Sequence, residues 1–222
     1  MIMSVLPDLG TGHTIWHLQS PQNLRLLCCL FANLNSLILD YVARQKVGGA
    51  HLSNYIVNQF PVKSPTDYSP ADLAFIVPRV LELTYTAWDI KAFADDVWRD
   101  ADDTMKALLR QQWEANKAAT GGHEWKPPEW AEIADDGIPL PPFKWDEERR
   151  AVLRAELDAL YARLYGLSRD ELRYILDPAD VYGPEFPSET FRVLKEKEIK
   201  KFGEYRTRRL VLEAWDRMVR TA

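Results

Sequence analysis

Apolar residues recur every three or four positions through most of the chain, the spacing of helices with one buried face. Leu27, Leu30, Leu34, Leu37, Ile38 and Tyr41 keep that spacing and predict one long helix from Gln22 to about Gln45, entered at Ser20-Pro21 and stopped at Gly48-Gly49. Leu52, Tyr55, Ile56 and Val57 predict a short helix or strand, followed by an extended exit at Phe60-Pro61-Val62. Ser69-Pro70-Ala71-Asp72 repeats the helix-entry signal. Pro78 is expected to break that helix, with a second stretch from Arg79 to Thr86. Phe93, Val97, Met105, Leu108, Leu109 and Trp113 predict a long helix over 91–118. Further on, Leu153, Leu157, Leu160 and Leu164 form a stripe behind Asp146, and Ser168-Arg169-Asp170-Glu171 is a capping box. Ser188 is expected to open a helix that Gly203 ends, and Val211, Trp215 and Met218 share one face of the last helix.

Two places break the helical period. Ser4-Val5-Leu6 and Gly10 to Trp16 predict short strands joined by a glycine turn, an incomplete hairpin whose free edge invites a second copy. Residues 119–144 hold Gly121-Gly122, Pro127-Pro128, Gly137, Pro139 and Pro141-Pro142, a long irregular loop and the natural internal boundary. The expected class is therefore α+β, predominantly α-helical, with short β elements near the N-terminus followed by a helical C-terminal region. The segments are 1–65, 66–118, 119–144 and 145–222.

Composition narrows the classes. The chain has 222 residues, 46% hydrophobic and 27% charged, which is ordinary globular composition and excludes a disordered protein for most of its length. No run of about 18 apolar residues occurs, so no membrane span is expected. The adjacent Cys28 and Cys29 lie in an apolar run and suit reduced core residues of a cytoplasmic protein. Charge is uneven: −1 over residues 1–20, +3 over 21–65, −12 over 66–191 and +5 over 192–222, for a net −5. An acidic middle repels a phosphate backbone, so any nucleic-acid contact falls to the two basic ends.

Candidate chemistry is sparse. The four histidines have no zinc-ligand spacing, and Gly10-Thr11-Gly12 lacks the third glycine of a phosphate loop. Glu147-Glu148 and Asp135-Asp136 are neighbours that do not face each other on a helix, and suit surface acids. Leu140-Pro141-Pro142-Phe143 resembles the Pro-Pro-aromatic motif of amino-methyltransferases, but Leu140 has no atom to accept the target amino group's hydrogen bond. No catalytic residue, metal site or cofactor site is assigned.

The richest stretch is Asn33 to Val62. Its helix delivers Arg44, Gln45 and Lys46 to the Gly48-Gly49 turn, and His51, Asn54 and Asn58 follow at three and four. These residue types bind phosphates and read base edges. Basic residues at a helix C-terminus are equally expected for dipole reasons, so a plain polar corner remains the alternative. The basic residues Lys200, Lys201, Arg206, Arg208 and Arg209 likewise suit a second phosphate patch or a solvated face.

Ala32 to Ser36, Asp40 to Lys46, Gly48-Gly49, His51-Leu52, Tyr55-Ile56 and Gln59 to Val62 resemble the C-terminal target-recognition (specificity) region of type IIG and related adenine-specific DNA methyltransferases of restriction–modification and phage-defence systems. The resemblance continues, in order, through Pro78 to Asp89, Phe143 to Arg150, Leu153 to Ala159, Leu164 to Asp170, Tyr174 to Asp177 and Gly203 to Arg209. Members of that family are longer, with their methyl-donor and catalytic motifs upstream of this region, so none of their catalytic residues has a position here. The resemblance implies that residues 1–65 are part of a DNA target-recognition region, with Arg44, Lys46, Gly48, Gly49, His51, Asn54 and Asn58 facing double-stranded DNA. It implies a methyltransferase catalytic domain or subunit as partner, which would hold the S-adenosylmethionine. The alternative is a helical interaction subunit that docks on such a partner without binding DNA alone.

Overall fold

The computed structural model describes residues 3–6, 21–48, 52–187 and 190–221. Among them are α1 (Leu24–Asn35), α2 (Leu37–Lys46), α3 (Asn54–Val57), α4 (Pro70–Thr84), α5 (Lys91–Asp100), α6 (Asp103–Thr120), α7 (Glu147–Leu164), α8 (Arg169–Leu176), α9 (Ala179–Tyr182), α10 (Arg192–Phe202) and α11 (Arg206–Thr221). No strand occurs among the described residues, so the class is mostly α and the expected N-terminal β elements are a correction. Among the described residues, 3–6 have no neighbouring strand to complete a ladder, and a lone strand is not stable in water. The second expected strand, residues 10–16, lies outside the described residues. The homodimer through unpaired strands thus has no strand among the described residues to carry it.

The expected helix over 22–45 is two helices. Leu26 N donates to Asn23 Oδ1 at 3.0 Å, so Asn23 rather than Ser20-Pro21 begins α1; Ser20 lies outside the described residues. Ser36 then turns extended (φ −68, ψ 146) and accepts from Leu39 N, capping a new helix. Periodicity alone cannot see this break, because the apolar spacing continues across it while one serine supplies the competing hydrogen bond. Residues 91–118 divide in the same way at Ala101, and Asp102 caps α6 by accepting from Met105 N at 2.8 Å.

Pro78 does not end its helix. Its ring is buried inside α4, and the single ladder bond it forfeits is the one to the Ala74 carbonyl; the neighbouring Phe75 carbonyl accepts from the Arg79 guanidinium at 2.9 Å. The entries at Ser69 and Ser168 are capping boxes, and Gly203 adopts φ 77 at the end of α10, where a side chain would be strained. α10 begins at Arg192; Ser188 lies outside the described residues.

Two units are distinguished by their internal packing. One comprises Asn33–Val62 with Glu147–Ala222. Its core joins Ile38, Ala155, Ala159, Ala162, Leu172, Leu176, Phe191, Val211 and Trp215. α7 therefore uses a face of alanines spaced four and three, which allows α11 to approach closely; this face lies beside the leucine stripe rather than on it.

The other unit comprises Lys63–Asp146 with the chain up to Ala32. Here α4 packs on α6, and residues 121–146 form an irregular strap. Its backbone is satisfied by side chains. Trp113 Nε1 donates to Pro141 O (3.0 Å), Phe143 N to Tyr85 O (2.8 Å) and Tyr85 OH to Leu140 O (3.2 Å). Asn116 donates to Lys144 O and accepts from Lys144 N, both at 3.0 Å. Ile138 N donates to Asp95 Oδ1 at 2.8 Å, and the same oxygen pairs with the buried Lys91 ammonium at 2.5 Å. Gly137 is needed for this approach, since a Cβ there would come within 2.5 Å of Asp95. The Pro-Pro-Phe sequence is thus structural, with Phe143 wholly buried.

Candidate nucleic-acid interface

The expected site residues lie in the first unit, where α2 ends and α3 begins. α2 buries Ile38, Leu39 and Ala43, which turns Arg44, Gln45 and Lys46 outward to solvent. It stops at Lys46, with Val47 extended as its cap and its N–H on Ala43 O. Gly48 is exposed, does not adopt a positive φ, and has nothing within 4 Å of where a Cβ would stand. No close backbone approach within the described residues therefore accounts for Gly48. Gly49 and His51 lie outside the described residues.

α3 is one turn. Asn54 and Asn58 lie at its two ends, four residues apart, and both are exposed. Lys46 Nζ reaches Gln59 Oε1 at 3.4 Å, and Gln59 Nε2 donates to Tyr55 O at 3.1 Å, so the end of α2 is tied to α3. Lys46, Asn54 and Asn58 are thus brought into one corner. Arg44 is directed elsewhere: its Nε donates to Asp40 Oδ2 at 2.9 Å and its guanidinium lies 5.3 Å from the Phe191 ring centroid. An i,i+4 pair at the surface contributes only a few tenths of a kcal/mol, so Arg44 could exchange Asp40 for a stronger anion. Tyr55, 78% exposed, and Gln59 were not among the expected contacts. Their signal was available in the sequence: they stand four apart and one position on from Asn54 and Asn58.

α7 holds the start of α2, and the turn after α7 holds the corner at Pro61. Leu37 N donates to Asp158 Oδ1 at 2.7 Å, at the break between α1 and α2. Burial pushes the Asp158 carboxyl up to about 7, against the opposing pull of the Leu37 N–H and Arg154. Tyr165 OH donates to Pro61 O at 2.7 Å and accepts from Asn33 Nδ2 at 2.9 Å, and its burial raises its own pKa.

In the second basic segment Lys201, Arg206, Arg208 and Arg209 are paired with acids. Lys201 meets Glu147 at 2.6 Å, Arg206 meets Glu148 at 2.5 Å, Arg208 meets Asp180 at 2.7 Å, and Arg209 meets both Glu204 and Glu213. The solvated-face alternative fits these contacts better than a phosphate patch. Asp216 pairs with Arg169 at 2.7 Å, a partner from α8 that helix spacing does not anticipate.

What the corner can do chemically is bind. It presents amide donors and acceptors, one ammonium, one exchangeable guanidinium and an exposed phenol. Among the described residues, no group of three or more His, Cys, Asp or Glu is placed to hold a metal ion, and no single helix is long and apolar enough to cross a membrane. Comparison with protein-family models, with curated proteins and with solved structures gave no match in any of the three.

Proposed function

We propose that this chain is a DNA target-recognition module that acts with an adenine-specific DNA methyltransferase domain or subunit of the restriction–modification type. The reading rests on the ordered resemblance from Ala32 to Arg209, and the observation that carries it is the exposed corner where Lys46, Asn54, Tyr55, Asn58 and Gln59 stand together. In this reading Arg44 and Lys46 hold phosphates, His51 and Asn54 reach base edges, and Gly48, Gly49 and Asn58 face the same duplex. Methyl transfer and S-adenosylmethionine belong to the partner. The buried Cys28 and Cys29 suit a reducing cytoplasm.

The test is titration of a fluorescent duplex with the chain at low and moderate salt. Salt-sensitive binding at micromolar concentrations, weakened by Lys46→Ala, is the expected result. Absence of binding at low salt overturns an autonomous module. A second reading is favoured by the internal pairing of the C-terminal cations: a helical subunit that docks on the methyltransferase and meets DNA only in the assembly. Co-purification with the partner, without DNA binding by the chain alone, supports it.

A further inference from the structure

A different surface, in the unit that contains α4, α5 and α6, gathers aromatic side chains around unpaired acids. Two shallow depressions of about 690 and 340 Å3 share Trp88, Asp89 and Trp130 in their walls. Trp125 meets Trp88 edge to face, with ring centroids 5.3 Å apart and planes at 81°. Trp130 is 66% exposed, so its indole stands open to solvent, whereas the Lys91 ammonium already lies 5.8 Å from the Trp125 ring centroid.

The cations nearby are already engaged. Lys91 pairs with Asp95, Arg99 with Asp96 and Asp136, and Lys126 with Glu124. Asp89 and Glu132, which line the same depressions, make no ion pair among the described residues. The groove therefore offers π-faces and uncompensated negative charge together. An indole face attracts a cation through its ring quadrupole, and a nearby carboxylate adds a charge-assisted hydrogen bond. A guanidinium satisfies both at once, because it is planar enough to stack and forked enough to bridge a carboxylate. The same charge opposes a phosphate backbone.

We propose that this groove binds an arginine-bearing segment of a partner protein, with a guanidinium on Trp130 or Trp88 and its donors on Asp89 or Glu132. The site is independent of the DNA reading, since it uses none of the residues at the α2–α3 corner.

The test uses the full chain and a fluorescein-labelled eight-residue peptide with two arginines on an alanine–proline–glycine background, beside the same peptide with glutamines. The arginine peptide should bind saturably, and the glutamine peptide at least tenfold more weakly. Trp130→Ala, a truncation in solvent, should weaken binding roughly three- to thirty-fold, the range expected for a cation over an indole. The double variant Asp89→Asn, Glu132→Gln should weaken it by a similar factor, and it decides the matter alone if Trp130→Ala disturbs the circular dichroism. Equal binding of the two peptides, or wild-type affinity in the variants, overturns the proposal. So does tighter, Trp130-dependent binding of a single-stranded oligothymidylate.

Discussion

The strap of residues 121–146 and the corner of residues 46–61 are both places where glycine and proline interrupt the helices, yet they use their polar groups in opposite ways. In the strap, backbone N–H and C=O groups are turned inward and met by Asn116, Asp95, Tyr85 and Trp113, while Ile138 and Phe143 fill the interior. In the corner, Asn54, Tyr55 and Asn58 face solvent, and the side-chain ties are those of Gln59 and, at Pro61, of Tyr165. Composition is the same in kind. The difference is whether neighbouring helices present polar side chains at the height of the loop backbone, because buried backbone groups must find partners and exposed ones have water.

The contrast predicts large stability effects in the strap and small ones in the corner. Phe143→Ala should destabilise its unit by about 3–5 kcal/mol, read as a lower denaturant midpoint, because a fully buried ring leaves a cavity. A loss below about 1 kcal/mol would mean the strap is not part of the core. Asn116→Leu should cost about 2–3 kcal/mol. It removes both bonds to Lys144 and one to Glu82, whose buried carboxylate would keep Gln112 alone of the two amides.

Asp158, at the start of α2, is the intermediate case. A carboxyl whose folded pKa exceeds its unfolded value favours folding while protonated, so its contribution falls as pH rises from about 4 to about 7. Asp158→Asn keeps the acceptor for Leu37 N and should flatten that limb, leaving the variant the more stable of the two at pH 8 by thermal unfolding. An unchanged pH profile would place the carboxyl's titration elsewhere. The smallest stability effect belongs to Arg44→Ala, within about 0.5 kcal/mol, since its pair with Asp40 is at the surface. If Arg44 holds a phosphate, the same change lowers the salt slope of duplex binding by about one. A shift in stability with no change in slope would make it a plain helix pair.

Legibility in the sequence followed the range of the interactions. The capping boxes at Ser69 and Ser168 and the glycine end at Gly203 depend on residues three or four apart, and were readable. The breaks at Ser36 and Ala101 were not, because an apolar period runs through them and the decision rests partly on distant groups such as Asp158 and, at the start of α1, Asp100. Pro78 was misread because it forfeits only one ladder bond, to the Ala74 carbonyl, while its ring is buried within α4. In the corner, Arg44, Lys46, Asn54 and Asn58 were legible as polar and outward. That Arg44 leans on Asp40 and Phe191 was not, since Phe191 is 147 positions away in the chain.

Tyr165 has a further consequence. Its one hydroxyl joins the Asn33 side chain to the Pro61 carbonyl, so the chain leaves and returns to the same point. A segment anchored at both ends by a single atom can change in length or sequence between those ends while the frame around it stays put. The stretch between Asn33 and Pro61 is then a natural cassette, whose sequence can change while the same scaffold is kept.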